Sequence, residues 1–182
     1  MSSKRRLLIT GITSVMLGWL YYVIFHFSAQ DSVQSSSLSQ LISERCVRFF
    51  GSLSRAQWSD ATLRGLVEYF EHPIRKLAHF MEYGCMGILV YTLWSQWLSQ
   101  GKKLRFLTVA WVFLSAASDE FHQYFVPGRY ASVADVLLDT CGGTFGMFLC
   151  ICALALYRRH RTAKSRKKAK NHKAAKIHRT DV

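Results

Sequence analysis

Residues 7–27 read LLITGITSVMLGWLYYVIFHF, with no lysine, arginine, aspartate or glutamate. About 20 consecutive apolar residues cross the hydrocarbon core of a bilayer as a helix. This stretch is too long for the apolar part of a typical signal peptide, and Phe27-Ser28-Ala29-Gln30 is a poor cleavage site, so a retained helix is expected. Outward from it lie three more windows of similar length, about Ile74–Leu98, Leu104–Val126 and about Val133–Tyr157. The fold expected is therefore all-α: a polytopic membrane protein with four transmembrane helices, near 7–27, 74–98, 104–126 and 133–157.

Charge is distributed to match. The chain of 182 residues is 50% hydrophobic yet carries a net charge of +13. Most of that charge sits in residues 158–182, which hold eleven lysines and arginines and one acid, Asp181. An apolar, nearly neutral body with a basic appendix excludes a disordered chain, a small disulfide scaffold and most soluble basic nucleic-acid domains. Short basic flanks stay in the cytoplasm. Lys4, Arg5 and Arg6 precede the first window, Lys102, Lys103 and Arg105 fill the Ser99–Arg105 connector, and the tail follows the fourth window. Both termini are thus expected inside, with residues 28–72 and the turn Val126–Ser132 outside. Three parts follow: a basic cytoplasmic N-terminus (1–6), the four-helix membrane domain (7–157) and a polybasic cytoplasmic tail (158–182), expected to be disordered. Eleven cations beside a cytoplasmic helix end suit anionic lipid better than nucleic acid.

The outer segment repeats apolar residues at helical spacing: Leu38, Leu41, Ile42, Cys46, Phe49, Phe50 and Leu53, then Leu63, Leu66, Val67 and Phe70. Two short amphipathic helices are expected there, starting near Ser35–Ser37 and Ser59–Asp60, either on the outer membrane surface or capping the bundle. Four of the five cysteines fall inside the windows, so no disulfide framework is indicated.

The informative residues are ionisable ones inside the windows. Charges in hydrocarbon are costly and usually face a bundle interior or a wet cavity. Arg75, His79 and Glu82 share one helical face, with Lys76 beside them. Asp119 and Gln123 share another, with Glu120 about 100° round. Asp135, Asp139, Gly142 and Gly146 share a third, where Gly142-x-x-x-Gly146 allows a close helix approach. With the topology above, all three sets enter from the outer surface and meet in one layer. Val126-Pro127-Gly128-Arg129 suits a tight turn, Pro presetting φ and Gly accepting positive φ, and would hold Arg129 over the mouth. Arg75, Lys76 and Arg129 face five carboxylates, those of Glu82, Asp119, Glu120, Asp135 and Asp139. Two carboxylates are left over, to be protonated or to bind a proton donor, a cation or a cationic ligand group.

Three blocks here resemble the VanZ-like family, integral membrane proteins named for a factor linked to teicoplanin resistance. They are Arg75-Lys76-x-x-His79-Phe80-x-Glu82-Tyr83, Ser118-Asp119-Glu120-x-x-Gln123-x-Phe125-x-Pro127-Gly128-Arg129 and Asp135-Val136-x-x-Asp139-x-x-Gly142; Phe27-Ser28-x-Gln30 is similar too. Asp139 departs from the pattern, which usually has Asn there. The resemblance spans about Leu7–Tyr157 and omits the tail. It implies a multi-pass protein of the bacterial cytoplasmic membrane, with a role in the cell envelope or in resistance to lipophilic glycopeptides.

Three readings of the charged layer stand side by side. As a binding site, Arg75, Lys76, His79, Glu82, Asp119, Glu120, Gln123, Arg129, Asp135 and Asp139 would hold an envelope lipid head group, a lipid-linked precursor or a lipophilic glycopeptide. Arginine matches phosphate bidentately, and the excess carboxylates then call for a bridging divalent cation. As an enzyme acting on a lipid or lipid-linked substrate, His79, Glu82, Asp119 and Glu120 supply acid–base or metal-ligating groups. As structure alone, pairs such as Arg75–Glu82, Lys76–Asp119 or Arg129–Asp135 would fix helix register.

Overall fold

A computed structural model describes residues 2–53 and 58–180. Among the described residues the structure is helical throughout: α1 (Ser3–Ser28), α2 (Ser32–Leu53), α3 (Asp60–Trp94), α4 (Lys102–Gln123) and α5 (Val133–Thr180). The chain falls into two compact units, Met1–Met147 and Phe148–Val182. Ser3–Ser28 and Val133–Ser165 are long and apolar enough to cross a membrane.

In the first unit, neighbouring side chains give the helix directions. Trp97, just past the end of α3, donates to Thr10 near the start of α1, so α1 and α3 run antiparallel. Tyr21 meets Ser115 at 2.6 Å and Gln123 donates to Ser28, so α1 and α4 run in the same sense. On α3 and α5, Lys76 pairs with Asp135, while Gly84 lies against Gly146. Those two helices are parallel. The C-terminal ends of α1 and α4 therefore meet the Lys76 region of α3 and the start of α5 at one end of the bundle.

Glycine sets the α3–α5 spacing. A Cβ on Gly87 would lie 1.9 Å from the Gly143 carbonyl oxygen, and one on Gly146 would lie 1.9 Å from that of Gly84. A Cβ on Gly142 would lie 2.3 Å from the Phe80 oxygen. The backbones touch, so the acidic face of α5 is also its packing face, as the Gly142-x-x-x-Gly146 spacing predicts. Around this crossing Ile24, Tyr83, Met86, Val90, Val112 and Ala116 form the apolar core.

The remaining pattern is inverted relative to a protein folded in water. Val15, Phe106 and Phe121 are 75%, 71% and 68% exposed, while Asp139 and Thr108 are buried. Buried hydroxyls bond within their own helices, Thr13 to Ile9 and Thr108 to Leu104. An apolar surround demands such internal satisfaction of polar groups.

Three expectations change. The Leu63–Phe70 repeat is not a separate short helix but the first half of α3, which continues through Pro73. Proline removes one backbone hydrogen bond and crowds the preceding turn, yet α2 packs along this part of α3, and Gln40 donates to Glu71, so tertiary contact outweighs the local break. Ser59 caps α3 as expected, accepting from the Thr62 N–H. α2 starts at Ser32, before the Ser35–Ser37 start expected; the side chains of Ser35 and Leu38 lie outside the described residues. Its Leu41, Phe49, Phe50 and Leu53 are exposed, while Ser39, Ser43 and Val47 are buried and Ile42 lines a cavity with residues of α3. Helix α3 ends at Trp94, and Ser95–Leu98 close in a turn, while α4 ends at Gln123. In the second unit, α5 runs on as helix to Thr180. No glycine or proline follows Gly146, and Ala, Lys and Arg are good helix formers.

Candidate functional site

The common end of the four long helices is tied together by backbone groups. Val126-Pro127-Gly128-Arg129 forms the expected tight turn: the Arg129 N–H donates to the Val126 carbonyl at 3.1 Å, and Gly128 has φ 74°. The turn aims Arg129 back across the bundle, where Nη1 donates to the Ser28 carbonyl at 2.9 Å and the Phe27 carbonyl at 3.4 Å. Those carbonyls belong to the last turn of α1, which lacks intrahelical donors. Burial and the neighbouring Arg75 charge lower the Arg129 pKa, against the pull of Asp119 and Glu120, but a guanidinium stays charged.

The two adjacent acids of α4 serve different neighbours, as a 100° step between them requires. Asp119 turns toward α1: Gln123 Nε2 donates to Asp119 Oδ2 at 2.9 Å and to Ser28 Oγ at 3.3 Å. Glu120 turns toward α5, accepting the Ser132 N–H at 2.8 Å. Ser132 in turn accepts the Asp135 N–H at its hydroxyl. In a capping box the acid at the third helical position would take the N-cap N–H. Here Glu120 takes it, which releases Asp135 to receive Lys76 Nζ at 2.6 Å.

One turn deeper on the same faces, His79 Nδ1 stands 3.8 Å from Asp139 Oδ2. Arg75 Nη2 lies 3.4 Å from His72 Nδ1. A cavity of about 310 Å³ opens among these residues, and Arg75, Lys76, His79, Glu120, Gln123, Arg129, Asp135 and Asp139 all line it. Of the ten site residues the sequence suggests, two lie elsewhere. Glu82 lines a second cavity of about 180 Å³, which shares Arg75, His79 and Arg129 with the first and is closed by Ser39 and Ile42 of α2. Asp119 faces an apolar groove between α1 and α4 with Tyr21, Phe25 and Trp111. Of the ion pairs weighed from sequence, Lys76 takes Asp135 and not Asp119, and Arg75 turns to His72 and not Glu82. The cavity also has lining residues that sequence reasoning did not name, His72, Tyr130 and Leu138. His72 was legible in principle: 72, 75, 76 and 79 share one helical face, but only if the helix is known to pass Pro73. No cluster of three or more His, Cys, Asp or Glu suited to a metal occurs among the described residues, so a bridging divalent cation has no ready-made cage.

A family model described as VanZ/LLP1 matches residues 13–156. The chain belongs to the VanZ/LLP1 family. The match runs from Thr13 in α1 to Leu156 in α5, and so covers all the residues that line the cavity. Membership of the VanZ/LLP1 family, with two helices able to cross a bilayer, makes this a membrane protein. No curated protein and no solved structure matches the chain.

Proposed function

We propose that this VanZ-like protein crosses the bacterial cytoplasmic membrane four times, with both termini in the cytoplasm, and binds the phosphate-bearing head group of an envelope lipid or lipid-linked precursor in a cavity of the outer leaflet. The four spans are α1, α3 from about Ile74, α4 and the first part of α5. Their alternating directions support this reading, as do the basic residues at 4–6 and 102–105, at the end of the first unit remote from the cavity, and those at 158–179 in the tail. The apolar exterior of α4, with Phe106, Leu114 and Phe121 exposed, fits contact with lipid tails.

The observation that carries the binding reading is the cavity wall: Arg75, Lys76 and Arg129, from α3 and the α4–α5 turn, border one space of head-group size. A role in the cell envelope or in teicoplanin-type resistance is consistent with the family. The structural reading keeps one specific support, the Lys76–Asp135 pair between α3 and α5. The enzyme reading has less, because two of its four candidates, Asp119 and Glu120, are each already held by a hydrogen bond.

Lipid retention tests the proposal. Native mass spectrometry of the purified protein is expected to find phosphate-bearing lipid on the wild type and at least about tenfold less on Arg75→Ala, the loss of a charge-assisted contact. Equal retention by a folded Arg75→Ala protein would remove the cavity from consideration as a head-group site.

A further inference from the structure

The most buried side chain of the cavity is not used by the phosphate reading. Asp139 is 1% exposed, and neither of its carboxylate oxygens has a hydrogen-bond partner. The other acids on the wall are engaged, Asp135 by Lys76 and Glu120 by the Ser132 N–H. His79 stands 3.8 Å off, beyond hydrogen-bonding reach. Buried carboxylates are paired or hydrogen-bonded in native proteins because desolvation is otherwise uncompensated. A group that brings positive charge and N–H donors into the cavity would complete Asp139.

We propose that the cavity takes a zwitterionic head group, a phosphate ester joined by a short spacer to a primary ammonium, with the phosphate against Arg75 and Arg129 and the ammonium on Asp139. The proposal rests on the phosphate reading above and narrows its ligand class. Charge favours it: three cations line the cavity, Arg75, Lys76 and Arg129, with three carboxylates, Glu120, Asp135 and Asp139. A wall of balanced charge suits a ligand of zero net charge better than an anion, and it needs no divalent cation. Spacing favours it too. Asp139 lies one helical turn, ~6 Å, below Asp135, which holds Lys76 next to Arg75. A short spacer covers that depth. Two acceptor oxygens with no donor select a primary ammonium, which has three N–H donors, over a quaternary one, which has none.

The same chemistry occurs in an aminophospholipid and in a soluble phosphoamine, and competition separates them. Purified full-length protein, delipidated in detergent, is titrated with phosphatidylethanolamine and with its N-acetylated form. Soluble glycerophosphoethanolamine and glycerophosphoglycerol serve as competitors. The free-amine lipid is expected to bind at least about tenfold more tightly than the blocked one. The isosteric Asp139→Asn is expected to abolish that difference by weakening the free-amine lipid alone. Competition by soluble glycerophosphoethanolamine over glycerophosphoglycerol would assign recognition to the head group by itself. Discrimination among lipids alone would assign it to a membrane lipid. Either result supports the proposal. Equal binding of free and blocked amines by the wild type, with both weakened in Arg75→Ala, overturns the ammonium assignment and leaves the phosphate site standing. Full discrimination retained in Asp139→Asn also overturns it. Failure of every phospholipid to bind overturns the phosphate reading with it. Should Asp139→Asn fail to fold, the wild-type comparison decides alone.

Discussion

At the scale of single residues, each charge at the common end of the bundle is directed by a backbone feature close to it. Glycine at 128 lets the turn close with φ 74°, and that turn delivers Arg129 to the end of α1. Glu120 takes the N-cap amide of α5 and frees Asp135 for Lys76. The Lys76 and Asp135 side chains are 37% and 32% exposed, so solvent screens the pair. A double-mutant cycle with Lys76→Met and Asp135→Asn, read by thermal unfolding in detergent, is expected to give a coupling of about 0.5–1 kcal/mol. A coupling indistinguishable from zero would mean the contact does not fix the α3–α5 register. The turn and the inward acids were legible in sequence because proline, glycine and ionisable residues each have few tolerable environments in a membrane. Partners were not legible. Helical spacing says that Asp119 and Glu120 diverge, but not that one meets Gln123 and the other an amide of α5.

Among elements, the α3–α5 crossing is the tightest contact and the easiest to test. Gly87 faces the Gly143 backbone, which cannot move aside as a flexible side chain would. Gly87→Ala is expected to destabilise the protein by about 2–3 kcal/mol, the cost of overpacking. Gly65 sits in the same helix with open space where a Cβ would go, so Gly65→Ala should stabilise by about 0.5–1 kcal/mol. Thermal unfolding of the two variants side by side checks both signs; a destabilised Gly65→Ala with an unaffected Gly87→Ala would contradict the packing described. Element boundaries were the least legible part of the sequence. Proline at 73 reads as a helix start by local rules, yet α3 continues through it, with α2 packed along its first half. That misplacement also hid His72, one turn before Lys76 on the cavity face.

For the whole molecule, the relative directions of α1, α3, α4 and α5 in the first unit follow from a handful of contacts. The proposed topology joins that order to the basic flanks at 4–6 and 102–105. The proposed four-span topology has one direct consequence, that Tyr130 at the cavity rim and Gly101 in the α3–α4 connector would lie on opposite sides of the membrane. The most direct measurement is labelling of single cysteines at these two positions, in a background where the five native cysteines are replaced, with a membrane-impermeant maleimide on intact cells. Tyr130→Cys, 88% exposed in the native residue, is expected to label in intact cells, and Gly101→Cys only after the membrane is opened. Labelling of Gly101→Cys in intact cells while Tyr130→Cys stays protected would turn the cavity toward the cytoplasm and contradict the account.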